Sequence, residues 1–278
     1  MSSDATSLPS FRQPPVTEVV LSVQFDALVG FELQHFGALW ERFKDKFPKV
    51  ETKPSLEPVW ETFEPAAPPR LQIRLLQNSM PRMWLVSTAG TELIQVQNDR
   101  FIHNWRKVGS GDEYPRYERI RREFETELTT FIEWCSSVNL PVPQVRQCEI
   151  TYLNQIAPSD VSKVHTDPSR VTTLLSAPAS PAPGAMLESV NLAAHYVIAG
   201  AAGTANTPLG RLHVEMTPAF AQPSNAPIFM LNLTARGAPR SNDVAGALSF
   251  MDMGRRTIVT AFKSITTTEM HVHWGIER

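Results

Sequence analysis

The stretch Glu92–Trp134, ELIQVQNDRFIHNWRKVGSGDEYPRYERIRREFETELTTFIEW, decides the fold. Leu93, Gln95 and Gln97 alternate with Ile94 and Val96, a two-residue period that turns the faces of a strand to core and solvent. Asn98-Asp99 is a turn pair, because both side chains bond nearby backbone and tolerate left-handed conformations. Phe101 to Trp105 resumes the strand, with Phe101, His103 and Trp105 on one side and Ile102, Asn104 and Arg106 on the other. Ser110–Glu113 is loop, and Pro115 suits a first helical turn, where its missing N–H costs nothing. Tyr117, Ile120, Phe124, Leu128, Phe131 and Cys135 then recur every three or four residues, one apolar stripe facing a core.

Outward from this stretch the same signals recur. Met1–Gln13 reads as a polar, frayed lead, and Val16–Phe25 as a strand whose Val19, Leu21, Val23 and Phe25 face inward. Phe31–Phe47 has helical spacing and ends at Pro48, with Gly37 inside it as a point of close approach to a strand. Short strands follow at Val59–Phe63, Leu71–Leu75 and Met83–Ser87. Val145–Ile156 is a strand, Asp167 caps a short helix through Leu175, and APASPAPG is surface loop. Ser189–Ala199, Arg211–Met216 and Ile228–Ala235 are strands, joined by the long hairpin loops GAAGTANTPLG and PAFAQPSNAP. Ser241 or Asn242 caps a second long helix whose Val244, Leu248, Met251, Ile258, Phe262 and Ile265 form one stripe. Arg255 interrupts that stripe. A short helix restarts at Thr266–Glu269, and Trp274 in the tail has reason to be there only if it docks.

The expected class is α+β: two tandem units of strand, helix, antiparallel strands and long helix, the helices packed on one face of mainly antiparallel sheet. Residues 1–13 form the lead, 14–140 the first unit, and 141–278 a second unit packed against the first. The match lies in element order, not residue identity.

Composition narrows the functional classes. The 278 residues are 42% hydrophobic and 19% charged, a globular balance, and the net charge of −2 supplies no global field for nucleic acid or anionic lipid. The two cysteines, Cys135 and Cys148, read as core residues without metal-ligand spacing. No apolar run approaches ~20 residues and no secretory signal opens the chain, so a cytoplasmic protein with no membrane partner is expected. P-loop, GxGxxG, GxSxG, HExxH and CxxC signatures are all missing. No cofactor, metal or catalytic residue is therefore expected, and a binding role stands ahead of an enzymatic one. His271 and His273 would share a face only on a strand and have no ligand partner at metal spacing.

One region is electrostatically distinct. Between Arg100 and Arg122 seven basic residues stand against three acidic ones, Asp112, Glu113 and Glu118. Arginines fork onto carboxylate or phosphate, and those at a helix N-terminus act with the positive end of its dipole. Arg116, Arg119 and Arg122 share one flank of the helix at about 100° per residue, and Arg100 and Arg106 can close the site from the strands. Tyr114, Tyr117 and Trp105 add stacking surface of the kind single-stranded nucleic acid uses. The alternative is a solvated helix face carrying Arg119–Glu123 and Arg121–Glu125 pairs.

PPVTEVVLSVQF, ELIQVQNDRFIHNWRK with YPRYERIRREF, ITYLNQI and the terminal TEMHVHWG together resemble a sporadically distributed bacterial family without an established function. The resemblance runs from Pro14 to Gly275 and implies a patchily inherited bacterial gene, of the kind found on mobile or defence-associated DNA. It carries over no catalytic residue. Two function classes stay open. One is a binding or assembly protein using the arginine face on nucleic acid, a phosphate-bearing ligand or a protein encoded beside it. The other is a small-molecule-binding or enzymatic domain with a pocket between sheet and long helices, lined by Gln95, Gln97, His103 and Asn104.

Overall fold

Val16–Phe25 (β1) buries Val19, Leu21, Val23 and Phe25 on one face and turns Ser22 and Gln24 to the other. The structure, a computed structural model, describes residues 8–63, 80–157, 165–175, 182–200 and 208–277. After β1 come α1 (Leu33–Phe43), β2 (Lys49–Lys53), β3 (Arg82–Val86), β4 (Glu92–Gln97), β5 (Arg100–Arg106) and α2 (Tyr117–Ser137). Then follow β6 (Val145–Ile156), β7 (Leu192–Ile198), β8 (Gly210–Ala221), β9 (Ala226–Gly237), α3 (Val244–Ile265) and α4 (Thr268–His273). The fold is α+β, with one nine-stranded antiparallel sheet in the order β2-β3-β4-β5-β1-β6-β9-β8-β7. β1, first in sequence, lies mid-sheet, with Leu21 opposite His103 of β5 on one side and Ile150 of β6 on the other.

The three longer helices share one face of this sheet: α1 meets β3 and α2, α2 meets β5 and α3, and α3 meets β6 and β9. The α2 stripe from Tyr117 to Cys135 is buried as its spacing requires, and Phe131 stacks on Phe101 at 5.1 Å between ring centroids. Asp243, one residue past the expected cap, accepts from the Gly246 amide at 2.8 Å and starts α3. Trp274 docks between Phe11 and Phe262, with centroids 5.8 and 5.1 Å away. Among the described residues, no helix is long and apolar enough to cross a membrane.

Several expectations are corrected. The lead does not fray as far as Gln13: Arg12 and Gln13 donate to the carbonyls of Gly275 and Trp274, and Phe11 is buried. Val59–Phe63 joins no ladder, and its Val59 and Glu61 amides meet the Gln24 and Gln147 side chains instead. Leu71–Leu75 lies outside the described residues. The segment expected to be a helix from Asp167 to Leu175 forms only a 3₁₀ turn at Pro168–Arg170. PAFA, expected in a loop, continues β8 to Ala221, leaving a short turn around cis Gln222-Pro223 before β9. The last helix runs through His273, so His271 and His273 sit on a helix rather than a strand.

Two helical glycines differ in kind. A Cβ on Gly37 meets open space, so no strand approaches it, whereas one on Gly254 would lie 2.6 Å from Ile150 Cγ2 and 3.2 Å from Ala235 Cβ. Gly37→Ala should stabilise the protein by up to about 1 kcal/mol through helix propensity. Gly254→Ala should instead cost about 1–3 kcal/mol by overpacking the α3–sheet contact. Urea unfolding of both variants checks this, and shifts of the same sign would contradict it.

Candidate functional site

A cavity of about 540 Å³ opens where the start of α2, the middle of α3, the lead and the sheet converge. Its aromatic wall is Tyr114, Tyr117 and Tyr152, three of the chain's four tyrosines. Phe11, Val16, Ile258 and Phe262 complete the apolar lining, and Arg116, Glu118, Asn154 and Arg255 supply the polar groups. Tyr152 comes from β6, where it shares the helix-side face with Cys148 and Ile150. The other two tyrosines flank the α2 N-terminus.

That N-terminus is unusual. Pro115 lies before the helix, and Arg116, its N-cap, has φ 69° and ψ 153°. This backbone region is essentially glycine's, and holding another residue there costs about 1–3 kcal/mol. The Arg116 side chain is anchored by donation from Nη1 to Phe11 O at 3.1 Å, with its guanidinium 5.9 Å from the Tyr114 ring.

Arg255 explains the break in the α3 stripe. Its guanidinium lies 4.9 Å from the Tyr117 ring centroid, and Nη2 pairs with Glu118 at 3.1 Å. Its Nε is buried and has no hydrogen-bond partner among the described residues. Asp252, one turn earlier, accepts from Tyr117 Oη at 2.7 Å and Arg121 Nε at 2.9 Å, so α2 and α3 are tied together at the cavity rim.

The phenols are held protonated. Burial raises the pKa of Tyr114, with the adjoining Tyr152 hydroxyl at 3.2 Å adding to it. Burial and then the Asp252 hydrogen bond raise Tyr117. Burial pushes Tyr152 up to about 12, although Tyr114 and Arg255 pull the other way. At neutral pH these groups donate hydrogen bonds and do not act as bases. The buried thiols offer no nucleophile either, since desolvation pushes Cys135 up to about 12 and Cys148 further.

The residues singled out in the sequence are divided between the two faces of the sheet. Arg100 and Arg106 lie on the face that carries no helix among the described residues, the helix-free face: Arg100 donates to Glu57 O at 3.1 Å, and Arg106 Nε donates to Gly90 O at 2.8 Å. Arg106, Arg82 and Lys53 also surround the Trp84 ring at 5.7, 5.6 and 4.8 Å. On the helix side, Arg119 pairs with Glu92 at 2.7 Å rather than with Glu123, Arg122 is exposed, and Arg116 alone of the five lines the cavity. Arg121 does pair with Glu125, at 3.0 Å.

The four polar candidates do not form one pocket. Gln95 Nε2 donates to Asn104 Oδ1 at 2.6 Å, and Asn104 Nδ2 to Glu18 Oε1 at 2.6 Å, a chain of contacts on the helix-free face. Gln97 on that face bonds the Leu56 backbone. His103 points the opposite way, with Nδ1 2.6 Å from Glu127 Oε2 in the core, where Lys46 Nζ reaches Glu127 at 2.9 Å and Glu92 at 3.1 Å. Among the described residues, no group of three His, Cys, Asp or Glu side chains is placed to hold a metal. Neither a family model nor a curated protein matches the chain.

Burial works to raise the Glu127 pKa, but His103 and Lys46 more than reverse this and hold it below its ordinary 4.5. A carboxylate depressed on folding stabilises above its unfolded pKa, and that contribution is lost as pH falls through the folded value. Glu127→Gln should therefore be less stable by about 1–3 kcal/mol at pH 7. It should also show a flatter stability profile below about pH 4.5 than wild type, with denaturant unfolding across the acid range as the measurement.

Raised phenols give the opposite sign: their contribution is complete below the unfolded pKa near 10 and is lost as pH rises above it. Absorbance titration at 295 nm should leave three of the four tyrosines protonated past pH 10 until the protein unfolds. A smooth titration of all four near pH 10 in folded protein would contradict this assignment.

Proposed function

We propose that this protein binds a small planar anion in the cavity between the sheet and the two long helices, and that it acts as a binding protein rather than an enzyme. Arg255 carries this reading. It is a guanidinium on an otherwise apolar helix stripe, with a buried Nε lacking a partner among the described residues, facing a wall of protonated tyrosines. A carboxylate or phosphate would meet the arginine fork, and a ring would lie against the phenols. The volume of about 540 Å³ falls within the range of small-molecule sites. In this reading the arginine-rich face expected for phosphate-bearing ligands contributes Arg116 at the cavity mouth, and Arg100 and Arg106 serve the other side of the sheet.

We also propose that residues 14–140 and 141–278 are duplicated units. Outward from the central pair, β1, β5, β4 and β3 are matched by β6, β9, β8 and β7, with α2 following β5 and α3 following β9. Among the described residues the second unit has no counterpart of α1. A cytoplasmic setting and a bacterial, mobile or defence-associated gene with a neighbouring protein partner are proposals resting on the sequence, and the flanking genes test them.

The binding proposal is tested by calorimetric titration with a panel of nucleoside monophosphates and aromatic carboxylates. At least one should bind wild type, and Arg255→Gln should weaken it by about tenfold or more, about 1.4 kcal/mol. A panel without binders, or binding indifferent to Arg255→Gln, would overturn the proposal.

A further inference from the structure

The helix-free face of the sheet is crossed by Pro54–Phe63, which joins no ladder and runs from Gln97 on β4 at Leu56 to Gln147 on β6 at Glu61, an extended path across three strand spacings. What holds it is a row of side chains. Gln97, Arg100, Gln24 and Gln147 stand in register on β4, β5, β1 and β6, at neighbouring-strand spacing. The glutamine amides read the segment's backbone. Gln97 accepts from Leu56 N and donates to Leu56 O, both at 2.9 Å; Gln147 accepts from Glu61 N at 2.7 Å and donates to Val59 O; and Gln24 accepts from Val59 N at 3.3 Å. One side chain is read as well. The Glu61 carboxylate, 5% exposed, sits among Arg211, Arg236 and His213 of β8 and β9. Three of the segment's large apolar side chains stay outside, Val59, Trp60 and Phe63 at 38–47% exposed, and Leu56 is half-buried.

A segment kept only for structure is ordinarily held by apolar burial. This one is held by its backbone and a single carboxylate, which is how extended peptides are recognised by sheets and pockets. The fit is also incomplete. Gln24 Nε2 and Arg100 Nε are buried beneath the segment without a partner among the described residues, so the face has donor capacity that the segment leaves unused.

We infer that this face is a binding site for an extended acidic peptide of a partner protein, and that residues 54–63 are a built-in ligand which such a peptide replaces. The backbone row sets the extended conformation, and the niche of Arg211, Arg236 and His213 demands a carboxylate at the position of Glu61.

The probe is a labelled PSLEPVWETF peptide, the sequence of residues 54–63, followed by fluorescence polarisation. In one variant residues 55–63 are replaced by a Gly/Ser segment of equal length, and in a second only Glu61→Ala is made. Both should bind the peptide at least ten times more tightly than wild type, and a peptide with Gln at the Glu61 position should bind at least ten times more weakly. Arg211→Ala added to either variant should abolish the difference between the two peptides. Should the Gly/Ser variant fail to fold by circular dichroism, the Glu61→Ala comparison decides. No gain over wild type in folded variants, or no preference for the carboxylate, would overturn the inference. A wild-type dimer by light scattering that the Gly/Ser variant loses would overturn the partner reading too, assigning the face to the same segment of a second copy.

Discussion

The antiparallel pairing of β1 with β6 is the contact on which the remaining architecture depends. Without it the chain would hold two small sheets, each with an exposed edge and a helix too few neighbours to cover it. With it, residues as distant as Val19 and Tyr152 become immediate neighbours, and the inner faces of both halves align under one helix layer. The same pairing makes the opposite face continuous, so polar side chains from β4 to β8 can act as one surface. It also sets an order on folding: β1 cannot be enclosed until β6 exists, more than a hundred residues later in the chain.

The two faces divide the chemistry. On the helix side, polar links fix geometry, with Glu127 of α2 meeting Lys46 and His103 of β5, and Asp252 pinning α2 to α3. These links hold the tyrosine wall still and leave Arg255 as the group with unused capacity. On the other side, the amides and guanidinia face outward from a rigid sheet and grip main chain. The cavity and the row of amides therefore share no residue: one lies on the helix side of the sheet and the other on the opposite face.

How far the sequence discloses this depends on what each signal reports. Apolar spacing reports which side of an element meets a core, so β1, β6, α2 and α3 were legible from Val19, Ile150, Phe124 and Ile258 and their neighbours. It says nothing of β2, whose KVETK is charged and exposed because it forms the sheet edge. Val59–Phe63 carries the alternation of a strand and is indeed extended, but its hydrogen-bond partners are glutamine side chains, and periodicity describes a backbone, not its partner. Arg100 to Arg122 form a cluster only along the chain. Because side chains alternate across β5 while α2 lies wholly on one face, Arg100 and Arg106 are separated from Arg116 and Arg119 by the thickness of the sheet. The interruption of the α3 stripe at Arg255 was visible, whereas Tyr152, which completes its setting, arrives from a strand a hundred residues earlier and leaves no local trace.

The strained backbone at Arg116 makes glycine the conformationally easiest residue there. Only the arginine side chain, through Phe11 and Tyr114, gives the position any reason to be something other than glycine. A glycine there would relieve the strained conformation but would leave the lead without this tie. The residue at this one position thus sets backbone ease against the tie between the lead and the start of α2.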